Sequence, residues 1–218
     1  MGKLILVRHG HTCLNSPGKD ERLRAWLDIP LDKQGLEEAA QTAELLAEHT
    51  VDVIYSSDLR RARHTAEVLR RRIQTTRVIA TKDLRPWDLG VFAGQRVFDI
   101  LPFLNLLNRH PDLAAPSGES FYQFYGRYSS RLQELMSLAS ESPNCVVAVT
   151  HVRNLLAAKT VIEHGDATQV PVRGGPPTGT VILVEKIDGV WRMRSGNQTP
   201  VVFPAPVPDP SDSQVAML

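Results

Sequence analysis

Apolar positions along this chain follow two periods that alternate from one end to the other. Lys3 to Val7 is a short, almost continuous apolar run of strand length. From Gln34 to His49 the positions Leu36, Ala39, Ala40, Ala43, Leu46 and Ala47 recur at helical spacing, with Asp32 placed to cap the first turn. Val51 to Tyr55 predicts a second strand. The helix expected from about Ser57 buries Leu59, Ala62, Ala66 and Leu69 and exposes the arginines between them. Val78 to Ala80 predicts a short third strand. Strands that alternate with helices predict an α/β layered domain with a largely parallel sheet.

The second half repeats the pattern with one irregularity. Val97 to Leu107 is apolar but contains Pro102, which predicts a broken helical lid rather than a straight helix. After Ser117, a longer helix carries Phe121, Phe124, Tyr125, Tyr128, Leu132 and Leu135 on one stripe. Cys145 to Val149 is uninterrupted apolar sequence, as a strand buried on both faces requires. A helix is expected from there through His164. Thr180 to Lys186 and Val190 to Arg194 flank Asp188-Gly189, a two-residue hairpin signal. No internal repeat or second domain is evident. The expectation is one catalytic domain over residues 1–198, with a lid insertion around 95–116 and a Pro-rich, loose tail over 199–218.

Composition narrows the function classes. Of 218 residues, 42% are hydrophobic, enough for a core without covalent staples. The 25 basic and 24 acidic residues leave a formal charge of +1, which argues against a nucleic-acid or membrane surface. The two cysteines, Cys13 and Cys145, form no spaced motif and suit a reducing compartment. No apolar run reaches membrane-spanning length, and the first residues lack the regions of a secretory signal. A soluble cytoplasmic protein is expected, with oligomeric state left open.

The candidate chemistry gathers at strand ends. The first strand delivers Arg8, His9 and Gly10, and the strand from Cys145 delivers Thr150 and His151. The second strand leads through Ser56-Ser57-Asp58-Leu59 into Arg60-Arg61. Functional groups in open α/β sheets collect beyond the carboxyl ends of the strands. Two histidines and two or three arginines on one rim, with helix N-termini beside them, suit a phosphoryl group.

These residues give the chain a resemblance to the histidine phosphatase superfamily, which also contains phosphoglycerate mutase. The resemblance spans Leu4 to about Arg194. It is carried by Arg8-His9-Gly10-His11-Thr12 with Asn15 (the RHG motif), Asp28-Ile29-Pro30-Leu31, Ser57-x-Leu59-x-Arg61-Ala62-x-x-Thr65, Gly118-Glu119-Ser120 and Thr150-His151. It implies a three-layer αβα fold like that of phosphoglycerate mutase. It also implies metal-independent hydrolysis of a small phosphomonoester through a phosphohistidine on His9, without a cofactor. Arg8, Arg61 and His151 would surround the phosphoryl oxygens, Asn15 would add a hydrogen bond, and Arg22 aligns with a further phosphate-contacting arginine. Thr150 and Glu119 belong to the same candidate set.

One departure stands out. Where the family reads Leu-x-Glu, with the glutamate as proton donor, this chain reads Leu84-Arg85-Pro86. Asp88 is the expected replacement, set against a plain turn-capping role, and Glu119 is a third candidate beside helix capping. His9-x-His11 resembles a metal-ligand pair but lacks complementary ligands. Arg24, Arg60 and Arg63 read as rim charges, and Trp26 and Trp87 as core or roof. A mutase is the alternative enzyme, and a phosphate-ligand binding protein with little turnover is the alternative outside enzymes.

Overall fold

The computed structural model describes residues 3–15, 20–75, 77–163, 167–171 and 174–195. Its elements follow in the order β1 (Lys3–Arg8), α1 (Lys33–Leu46), β2 (Val51–Ser57), α2 (Arg60–Ile73), β3 (Val78–Thr81), α3 (Val97–Arg109), α4 (Phe121–Glu141), β4 (Cys145–Thr150), α5 (Val152–Glu163), β5 (Val181–Ile187) and β6 (Val190–Ser195). The strands form one sheet in the order β3-β2-β4-β1-β5-β6. The first four in that order are parallel, and β5 and β6 run antiparallel to close the edge. Asp188 and Gly189 both have positive φ, 51° and 82°, which is the geometry that a two-residue hairpin demands.

Alternation along the strands sorts the core into two layers. Ile5 and Val7 of β1, with Ile54, Val147 and Val149, meet Ala43 and Leu46 of α1 and Ala62, Ala66 and Leu69 of α2. Leu4 and Leu6, with Val146, Ala148, Ile182 and Val184, meet Leu132 and Leu135 of α4 and Leu155 and Ala158 of α5. Every residue of β4 is buried, because helices cover both of its faces. The architecture is therefore helix layer, sheet, helix layer.

Two expectations are corrected here. α3 runs unbroken through Pro102. The proline nitrogen has no hydrogen to return along the helix, but Ile100, Leu101, Leu104 and Leu107 are buried on one stripe and hold the turn together. The cap of α4 is made by Ser120 and Gln123 in a reciprocal capping box, not by Glu119. The tail over 199–218 and the helix end at His164 lie outside the described residues. No described helix is long and apolar enough to cross a membrane.

The rim is tied together where Gly10 crosses Gly35. A Cβ on Gly10 would lie 2.3 Å from the Gly35 carbonyl oxygen, and one on Gly35 would lie 2.1 Å from that of His11. Both obstacles are backbone and cannot swing aside. Gly35→Ala is expected to cost about 1–3 kcal/mol, as overpacking usually does. Gly126→Ala, in α4 with nothing within 4 Å of the new methyl, is expected to stabilise by about 0.5–1 kcal/mol. Urea denaturation of the two variants checks both signs, and a neutral Gly35→Ala would contradict the packing.

Candidate active site

Strand register builds the centre of the site. β1 and β4 are parallel neighbours whose last paired residues are Arg8 and Thr150. The next residues, His9 and His151, therefore leave the sheet side by side, and the His9 amide donates to the Thr150 carbonyl at 3.0 Å. Their rings lie 5.0 Å apart with an interplanar angle of 61°. β2 pairs with β4 on its other side, so α2, which follows β2, starts on the same rim and delivers Arg61 in its first turn.

His9 is oriented by its own neighbour. Nδ1 lies 2.7 Å from the Gly10 carbonyl oxygen, which can only accept, so Nδ1 carries the hydrogen and Nε2 keeps a free lone pair. The Gly10 amide is in turn held by Thr65 Oγ1 at 3.1 Å, and that hydroxyl donates to the Arg61 carbonyl. Burial holds the His9 imidazole well below its usual value of 6.5, and the charges of Arg61 and Arg8 push the same way. His151 is also lowered, by burial first and then by Arg61, His9 and Arg8. Both rings are thus neutral at neutral pH.

The guanidinium groups are fixed by carbonyl oxygens rather than by carboxylates. Arg61 donates to Leu27 O at 2.7 Å and Ala25 O at 2.8 Å, and Arg8 donates to Pro176 O. Burial lowers Arg61 to about 9 and Arg8 to about 10, with Arg24 adding to both. Arg8 Nε, Arg61 Nε and both ring nitrogens of His151 are buried without hydrogen-bond partners. Such orphaned groups cost about 1–3 kcal/mol each or more. Gathered around one imidazole, they are matched by a group with several acceptor oxygens and negative charge.

A cavity of about 340 Å³ opens at this rim, and of these residues Arg8 does not line it. His9, Arg61 and His151 line it together with Glu21, Arg24 and Arg153. The remaining wall is largely apolar, with Leu23, Pro86, Trp87, Leu89, Val152 and Leu156, together with Val97 and Leu104 of α3. Arg153 lies over the Trp87 ring at 6.0 Å, and burial lowers it to about 10.

Several sequence-predicted residues sit elsewhere. Arg22 is exposed and donates to the Gly94 carbonyl at 2.9 Å, while Arg24, read above as a rim charge, lines the cavity. Asp88 does not line the cavity, because its carboxylate accepts the Gly90 amide at 3.0 Å and caps that turn. Glu119 is held by Arg127 at 2.6 Å and by the Asp88 amide at 3.0 Å, again off the cavity wall. Asn15 accepts from the Thr12 amide and hydroxyl, and buried Thr150 donates to Leu84 O at 2.9 Å. These two brace the rim and do not line the cavity. His11 pairs with Asp32 at 2.7 Å, and no group of three or more His, Cys, Asp or Glu that could hold a metal occurs among the described residues. Sequence reasoning missed Glu21 and Arg153. Arg153 had a signal, since it stands in the first turn of the helix that follows His151.

Comparison with known proteins gives a consistent picture. The family model of the histidine phosphatase superfamily (branch 1) matches residues 4–199. Phosphoglycerate mutase-like protein 4 of Arabidopsis thaliana is 30% identical over 156 residues, which are 68% of this chain and 66% of that protein. The uncharacterized phosphatase PhoE of Bacillus subtilis is 27% identical over 90% of this chain and 95% of its own length. A mycobacterial glucosyl-3-phosphoglycerate phosphatase, solved with VO3, superposes with a TM-score of 0.74 at 25% identity, covering 92% of this chain and 100% of that one.

The depressed histidines make stability pH-dependent. Unfolding returns both rings to their ordinary value near 6.5, so below that pH the unfolded chain binds more protons than the folded one. Stability is therefore full above about pH 6.5 and falls as pH drops towards the lowered folded values. His151→Asn removes one of the two groups, so its urea midpoint should fall less steeply between about pH 7 and 5.5. An unchanged slope would contradict burial as the cause.

Proposed function

The chain belongs to the histidine phosphatase superfamily, and from that membership and the site's geometry we propose that it hydrolyses a small phosphomonoester through a phosphohistidine on His9. The observation that carries this reading is the bond from His9 Nδ1 to the Gly10 carbonyl, which leaves Nε2 as the attacking atom beside orphaned donors. Nε2 attacks phosphorus as the bond to the leaving oxygen breaks. Water then attacks the phosphohistidine, which releases phosphate and restores the ring. Arg8, Arg61 and His151 meet the charge spread over the phosphoryl oxygens, and no reorganisation is needed because packing already fixes them. Arg24 takes the place expected of Arg22.

The apolar wall supports a substrate with a compact apolar or ring-sized group beside its phosphate. The segment 95–116, through Val97 and Leu104, is proposed as the lid over that group. No metal takes part in this reading. Residence in a reducing compartment, the cytoplasm, is part of the same proposal and is supported by two unpaired thiols, exposed Cys13 and buried Cys145.

Phosphate release from a panel of phosphomonoesters, run beside interconversion of 2- and 3-phosphoglycerate, tests the proposal. The expected result is phosphate release that survives chelator and falls roughly 10³-fold or more in His9→Gln. Rapid interconversion with negligible phosphate release would make the chain a mutase. Tight phosphate binding without turnover would make it a binding protein.

A further inference from the structure

The cavity holds one carboxylate among its lining residues, and it belongs to neither of the residues expected to donate a proton. We propose that Glu21 is the general acid of the hydrolytic reaction, protonating the leaving oxygen in place of the glutamate that Pro86 replaces. The inference rests on the phosphohistidine reading above and adds the group that completes it.

Elimination carries the first part. Pro86 lines the cavity where the resembling family has a glutamate, and its ring has no proton to give. Asp88 and Glu119 are spent on the Gly90 amide, the Asp88 amide and Arg127, and neither lines the cavity. Asp28 accepts the Arg60 amide at 2.6 Å, and Glu38 accepts the His11 amide at 2.8 Å. Glu21 alone shares the cavity with His9, Arg61 and His151.

Geometry carries the second part. The Glu21 backbone is pinned to the start of α3, with its carbonyl accepting the Val97 amide at 2.9 Å. The neighbouring Arg22 and Leu23 continue this pairing against Arg96 and Gln95. Glu21 Oε1 meets Arg24 Nη2 at 3.3 Å, and Arg24 is anchored in turn on Leu14 O at 3.0 Å. The carboxylate is therefore placed by backbone on one side and by a fixed guanidinium on the other. Oε2 takes no hydrogen bond from the described residues. The side chain is 44% exposed, so water can reach it for the second step.

The proton balance closes within the site. As His9 Nε2 bonds to phosphorus and the P–O bond breaks, the leaving oxygen takes the Glu21 proton and departs as an alcohol. The resulting carboxylate accepts a proton from the water that attacks the phosphohistidine. Phosphate leaves, and Glu21 is protonated again.

The test compares benzyl phosphate, whose alkoxide must be protonated, with p-nitrophenyl phosphate, whose leaving group needs no proton. Both present one ring to the same apolar wall. Glu21→Gln should lower kcat/KM on benzyl phosphate about 10²–10⁴-fold and on p-nitrophenyl phosphate less than about tenfold. Glu21→Asp, which keeps a carboxylate, should recover part of the loss. Equal losses on both esters would show a structural role and overturn the assignment. No loss on benzyl phosphate, or a selective loss in Asp88→Asn instead, would overturn it too. His9→Gln tests the underlying reading separately, since it should abolish turnover of both esters whatever Glu21 does.

Discussion

One hydrogen bond decides what this site can do. His9 Nδ1 gives its hydrogen to the carbonyl of the next residue, Gly10, and that bond fixes the ring's tautomer. The bond exists because Gly10 packs backbone to backbone against Gly35 and because Thr65 holds the Gly10 amide. A side chain at either glycine would push the carbonyl away. The ring's free nitrogen, Nε2, is thus set by three contacts in the scaffold.

Around that ring the fold concentrates positive charge at a cost to itself. Arg8 and Arg61 are buried, lowered from their ordinary value and satisfied only in part by main-chain carbonyls. Burying cations without carboxylate partners is unfavourable, and mutual repulsion adds to it. The same environment keeps His9 and His151 neutral, as the proposed attack by His9 and the close packing of the second ring require. An anion with several oxygens relieves these strains together. The site is therefore arranged for a group that arrives with its own negative charge.

The parts governed by strand register were legible in the sequence. His9 and His151 follow apolar runs that end as parallel neighbours, so periodicity placed both on one rim, whereas the helical pattern after the second strand read its arginines as exposed and the structure buries Arg61. The stretch 20–27 was a different case. It has no period to say which arginine turns inward, and pairing with residues 94–97 sends Arg22 outward and Arg24 into the cavity. Glu21 was illegible for the same reason, since only that tertiary pairing brings it to the cavity that His9 lines. Asp88 was misplaced because its spacing from Pro86 carried no information about the Gly90 turn that claims its carboxylate. Pro102 misled because burial of one helical stripe outweighed a single missing hydrogen bond.

The most direct measurement mixes the protein with a ³²P-labelled phosphomonoester, quenches within milliseconds in alkali and locates the label by peptide mapping and by the nitrogen it occupies. The account predicts an acid-labile, alkali-stable adduct on His9 at Nε2 that forms and decays at rates matching turnover. Label on Nδ1 or on His151, or steady hydrolysis with no adduct at any time point, would contradict it.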